Sequence, residues 1–149
     1  MTHPNITQIL NFLNQEKNLH TVLPKPILEV IGGSTAYGVE MATSDNDLIG
    51  IVIPPIDHLF PHLYGHVNQF LTPSKNFETI VEHHITFDSK KYDITVYSLQ
   101  KILELLTNNN PNILELLWVP EHCIISCDKI GQYLISKRDV FLSKKSYTR

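Results

Sequence analysis

The sequence predicts an α/β (α+β) domain: a mixed sheet of about four to five short strands packed with helices. Three observations carry it. Apolar runs short enough for strands alternate with stretches of helical period along the chain. Proline and glycine clusters punctuate those runs. Hydrophobic residues make up 42% and charged residues 18%, enough for a core and against disorder. At 149 residues one domain, 1–149, is the expectation.

Residues 5–19 place Ile6, Ile9, Leu10 and Leu13 at helical spacing behind Asn5, a cap candidate. "VLPKP" (22–26) breaks that helix. Ile27 to Ile31 is a short apolar strand ending in Gly32-Gly33, and Ser34 to about Ala42 can form a short helix. Asp47 to Ile53 reads as a buried strand closed by Pro54-Pro55. Residues 56–78 have little period of their own and read as a surface insertion. "TIVEHHITF" (79–87) and "KYDITVYS" (91–98) flank "DSKK", a hairpin signal. "LQKILELLTNN" (99–109) offers Ile102, Leu103, Leu105 and Leu106 as one face, and "PNILELLWV" (111–119) is a helix with Pro111 in its first turn. A "CIIS" segment and a final helix from about Asp128 follow.

Composition excludes several classes. No apolar run reaches the roughly 18 residues that span a bilayer. The N-terminus lacks a basic n-region, so it does not read as a signal peptide. Cys123 and Cys127, without a secretion signal, read as reduced thiols, and the expected location is cytoplasmic. The net charge of −3 gives no general footprint for nucleic acid. It is uneven: residues 1–120 carry six Lys/Arg against twelve Asp/Glu, and residues 121–149 six against three. The region 120–149 is therefore read as a helical basic tail, a solvated surface in preference to a phosphate-contacting edge.

Chemistry concentrates in "GGSTAYGVEMATSDNDLIGIVIPP" (32–55). A strand running into Gly-Gly-Ser and a helix exposes backbone N–H groups to an anion, and glycine lets a phosphate come close. Ser34 can cap the helix or donate to phosphate. In a strand, residues i and i+2 point to one face about 7 Å apart, so Asp45 and Asp47 can share divalent cations. Two-metal phosphoryl-transfer sites need ions about 3.5–4 Å apart. A surface turn is the usual fate of an isolated Asp-x-Asp. The phosphate turn upstream and the buried strand downstream favour the metal site here. Asp93, inside an alternating strand, can close a three-carboxylate site if that strand lies beside the one starting at Asp47; an exposed strand position is the equal alternative.

Gly33-Ser34 followed by Ser44-Asp45-Asn46-Asp47-Leu48 resembles the signature of the DNA polymerase β-like nucleotidyltransferases. With "YDITVYSLQKILELLTNNNPNILELLW", residues 27–119 resemble the predicted nucleotidyltransferases associated with RNA ligases in phages and bacteria. The chain departs at Ile49, where many relatives carry a basic residue. Relatives also tend to run on past the end at Tyr147-Thr148-Arg149, so a natural short form or a C-terminally truncated one is expected. The resemblance implies the nucleotidyltransferase fold and a nucleotide transferred from an NTP to an acceptor hydroxyl, with RNA a candidate acceptor in repair or modification. It implies two Mg²⁺ or Mn²⁺ ions on Asp45, Asp47 and Asp93, the catalytic set. It assigns Gly32, Gly33, Ser34 and Ser44 to the nucleotide. A non-catalytic nucleotide- or partner-binding module of the same fold is the alternative, and a metal-dependent phosphohydrolase a third reading.

Other clusters are weaker. His58, His62 and His66 have zinc-helix spacing, but Pro61 and Gly65 spoil the helix. His83 and His84 alternate across a strand, so they are not expected to face one point. His122, Cys123 and Cys127 lack a second half-site, and buried thiols are the default. Glu115 can line a cleft or be solvated; Trp118 is expected in the core.

Overall fold

The computed structural model describes residues 3–17, 24–33, 46–65 and 78–142. A five-stranded mixed sheet organises them, with spatial order β3-β4-β2-β1-β5. The strands are β1 (Leu28–Ile31), β2 (Asn46–Val52), β3 (Thr79–Phe87), β4 (Lys90–Ser98) and β5 (Ile124–Cys127). β2 and β4 run parallel, and the other neighbouring pairs are antiparallel. Five helices accompany them among the described residues: α1 (Ile6–Lys17), α2 (Ile56–Leu59), α3 (Leu99–Thr107), α4 (Pro111–Leu116) and α5 (Lys129–Ser136).

The strand period of two divides the core into two layers. On one face Ile31, Leu48, Val52, Tyr92, Ile94 and Val96 pack with Ile6, Ile9 and Leu13 of α1. On the other, Leu28, Val30 and Ile51 pack with Ile102 and Leu106 of α3, Ile113, Leu114 and Leu116 of α4, and Leu134 of α5.

Local chemistry starts and stops these elements where the sequence suggests. The Asn5 carboxamide accepts from Gln8 N–H at 2.8 Å, and the Gln8 carboxamide accepts from Asn5 N–H at 2.9 Å, a reciprocal capping box. Ser98, Asn110 and Asp128 cap α3, α4 and α5, and Pro111 occupies the first turn of α4. The β3–β4 hairpin turns on Asp88 and Ser89, both with positive φ (48° and 62°), with Phe87 opposite Lys90. That is the two-residue turn whose twist suits a hairpin. Glu29 is a buried carboxylate on the α1 face: Oε1 accepts from the Ile6 N–H at 3.0 Å, and Oε2 accepts from the Ser126 hydroxyl. It ties the start of α1 to β1 and β5.

Three expectations need correcting. Leu103 is exposed, because the face of α3 that meets the sheet is carried by Ile102 and Leu106. The surface insertion after Pro55 begins with its own short helix, α2, and a 3₁₀ turn at Pro61–Tyr64. The final helix ends at Ser136, giving way to a 3₁₀ turn at Arg138–Phe141. The short helix expected from Ser34 to Ala42 lies outside the described residues. No helix among the described residues is long and apolar enough to cross a membrane.

Candidate metal and nucleotide site

The site begins where β1 ends. Gly32 N–H donates to the Asp47 carbonyl at 2.8 Å, which carries the β1–β2 pairing one residue past the strand. Gly33 then adopts φ +68°, a left-handed conformation that costs other residues about 1–2 kcal/mol. A Cβ on Gly33 would overlap Asp47 Oδ2, and one on Gly32 would lie 2.9 Å from Ile49 Cδ1. Gly33 is therefore favoured by the carboxylate beside it and by its positive φ, while Gly32 is crowded by the tip of Ile49: Asp47 lies directly against the turn expected to receive phosphate.

The parallel pairing of β2 with β4 sets Asp47 opposite Asp93. Residues paired this way share a sheet face, and adjacent strands lie about 4.8 Å apart. Both residues thus stand side by side on the face covered by α3, α4 and α5, the Asp47 carboxylate against Gly33 and the Asp93 carboxylate against β3.

Beyond Asp93 stands the edge strand β3, whose register slips by one residue between Glu82 and Ile85. His83 and His84 together oppose Asp93, a β-bulge with His84 at φ +56°. Asp93 Oδ1 accepts from the His84 backbone N–H at 2.7 Å, and Oδ2 accepts from His83 Nδ1 at 3.1 Å. The His84 ring approaches as well, with Nδ1 3.9 Å from Oδ1. The His84 N–H, foremost, holds the Asp93 carboxyl below the usual carboxylate range against the opposing effect of burial, and the His83 hydrogen bond and the two imidazoles add lesser lowering effects. The expected alternation of the two histidines across the strand is therefore overturned, because the extra residue turns both toward one point. Neither packs into the sheet: their side chains are 61% and 76% exposed. A signal for this was present. Counting back from the two-residue turn at Asp88-Ser89 places position 84 opposite position 93.

A cleft of about 220 Å³ opens beside the glycine turn, its lining including Gly32, Gly33, Ile49, Asn112 and Glu115. Glu115 is thereby placed on the cleft. Trp118 is not a core residue. It is 36% exposed, and the Arg138 guanidinium lies 5.1 Å over its ring while donating to the Leu117 carbonyl at 3.0 Å.

Gly32, Gly33, Asp47 and Asp93 are thus brought together, whereas Ser34, Ser44 and Asp45 lie outside the described residues. Among the described residues no group of three or more His, Cys, Asp and Glu has a metal-binding arrangement. The donors that are described, two neighbouring carboxylates, suit a hard cation such as Mg²⁺. The weaker clusters stay weak: α2 ends at Leu59, Cys123 is buried, Cys127 is half-buried, and burial pushes both thiols up.

The model of the RNA repair pathway DNA polymerase beta family matches residues 3–149. The chain belongs to that family. No curated protein gives a significant match. In this member of the RNA repair polymerase β family, the α+β sheet carries a glycine turn and two paired strand carboxylates at one end, consistent with a nucleotidyltransferase fold.

Proposed function

We propose that the chain is a metal-dependent nucleotidyltransferase that moves a nucleotide from an NTP to an acceptor hydroxyl in RNA repair or modification. The observation that carries this reading is the pairing of Asp47 with Asp93 on parallel strands, with Asp47 against the Gly32-Gly33 turn. Asp45, Asp47 and Asp93 would hold two Mg²⁺ or Mn²⁺ ions. Bound there, the ions would lower the pKa of the acceptor hydroxyl and neutralise the triphosphate. Gly32, Gly33, Ser34 and Ser44 would receive the phosphates of the NTP. The acceptor hydroxyl would pass its proton to Asp93 or to solvent as its oxygen bonds to the α-phosphorus, the bond from that phosphorus to the bridging oxygen would break, and pyrophosphate would leave. Asp93 would orient or deprotonate the acceptor hydroxyl. The cleft between the glycine turn and α4 is where the nucleotide would extend, toward Asn112 and Glu115.

The test is incubation with each labelled NTP, Mg²⁺ or Mn²⁺ and an RNA pool, comparing wild type with Asp45→Ala. Labelled RNA plus pyrophosphate, both absent with the variant, is the expected result. Free phosphate would indicate a phosphohydrolase. NTP binding without turnover would indicate a non-catalytic module.

A further inference from the structure

We infer that the bulge in β3 is part of the metal site, with His83 as a positioning residue that fixes the orientation of the Asp93 carboxylate. This rests on the reading of Asp93 as a metal ligand. In the sheet order β3-β4-β2, Asp93 is flanked by Asp47 on one side and by the bulge on the other. The His84 N–H and His83 Nδ1 each take one oxygen of the carboxylate, Oδ1 at 2.7 Å and Oδ2 at 3.1 Å. With both oxygens held from the β3 side, the carboxylate loses rotational freedom. Each oxygen accepts one of these bonds and keeps a second lone pair that a cation could use. Partners of this kind, one step removed from the metal, typically account for about 10–100-fold in its affinity.

The device carries a structural cost. The slip takes one residue of β3 out of the ladder, and His84 sits at φ +56°, a conformation uncommon outside glycine. Burial does not offset this, since both imidazoles are largely exposed. What the bulge delivers is two donors to one carboxylate. A regular ladder would set a single β3 residue opposite Asp93.

Titration calorimetry of Mn²⁺ into the full chain tests this without relying on turnover. His83→Ala should weaken binding about 10–100-fold. His83→Asn, whose amide can replace the Nδ1 donor, should recover most of the loss. His84→Gly keeps the backbone N–H and suits the positive φ, so it should bind Mn²⁺ within about threefold of wild type. Circular dichroism and thermal melting check that each variant is folded, which the exposure of both side chains favours. If Asp93→Asn weakens binding but His83→Ala matches wild type, the inference falls and the proposed function stands. If His83→Ala weakens binding and His83→Asn does not recover it, hydrogen-bond positioning is likewise refuted. If Asp93→Asn itself leaves binding unchanged, the reading of Asp93 as a ligand fails, and the inference goes with it.

Discussion

Replacing Asp47 with asparagine should invert the order of stability between metal-free and metal-loaded protein. Asp47 and Asp93 pair across parallel strands about 4.8 Å apart, a lower bound on the separation of their charges because one carboxylate lies against Gly33 and the other is held from β3. Two unit charges at roughly 5 Å repel by about 1–3 kcal/mol for an effective dielectric between 80 and 20. Asp47 is half-buried and salt screens part of the repulsion, so about 1 kcal/mol is the working figure. Asparagine keeps the shape and an acceptor oxygen beside Gly33 while removing the charge. In EDTA, Asp47→Asn should therefore melt above wild type, by about 2–4 °C for a domain of this size. Mg²⁺ at about a hundredfold over its dissociation constant should raise wild type by about 2.7 kcal/mol, or roughly 5–10 °C, and the variant hardly at all. Differential scanning fluorimetry with and without Mg²⁺ reads both effects. A variant that melts below wild type in EDTA, or that gains as much from Mg²⁺, would refute a shared site with Asp93.

Gly33→Val should reduce NTP affinity and dislodge the Asp47 carboxylate, because its Cβ overlaps Asp47 Oδ2; unchanged affinity by fluorescence titration would make the turn purely structural. Glu29→Ala should cost about 1–3 kcal/mol in urea unfolding, since it strands the buried Ile6 N–H and leaves the half-buried Ser126 hydroxyl without its acceptor; a loss under about 0.5 kcal/mol would show that neither bond matters. The folded-state pKa of Asp93 is depressed, so its contribution to stability is complete above the ordinary value of 3.8 and is lost as pH falls through its own lower value. Asp93→Asn should accordingly flatten the acid limb of the stability profile in metal-free buffer, and an unaltered limb between pH 2 and 5 would contradict the hydrogen bonding seen here.

Much of the fold was legible because short-range chemistry specifies it. Asn5, Ser98, Asn110 and Asp128 each cap the helix that follows, and a cap acts within three residues of itself. The hairpin was equally local, set by Asp88-Ser89. Asp93 opposite Asp47 was readable only as a condition, since which strands pair is decided by contacts far apart in sequence. The bulge escaped because it is a change of phase, not of composition. Inward positions in β3 run Ile80 and Glu82, then Ile85 and Phe87, so the alternation shifts from even to odd across His83-His84. Trp118 was misplaced for a different reason. A tryptophan near the end of a helix reads as core, but Arg138, twenty residues later, stacks on it from the surface.

The direction of β4 decides the site. β4 is joined to β3 by a two-residue turn, so the pair enters the sheet as a unit, and either strand direction would bury Ile94 and Val96. With the observed parallel pairing, Asn46 meets Tyr92 and Val52 meets Ser98. Had β4 entered antiparallel over the same span, Asp93 would face Ile51, four residues or about 13 Å along the strand from Asp47. No side-chain motion closes that gap. Strand order, independent of direction, leaves β3 at the sheet edge, where a bulge disturbs one ladder instead of two. Direction thus sets Asp47 and Asp93 at one height by the turn where β1 ends, and order puts the irregular strand where it can reach Asp93 without breaking the centre of the sheet.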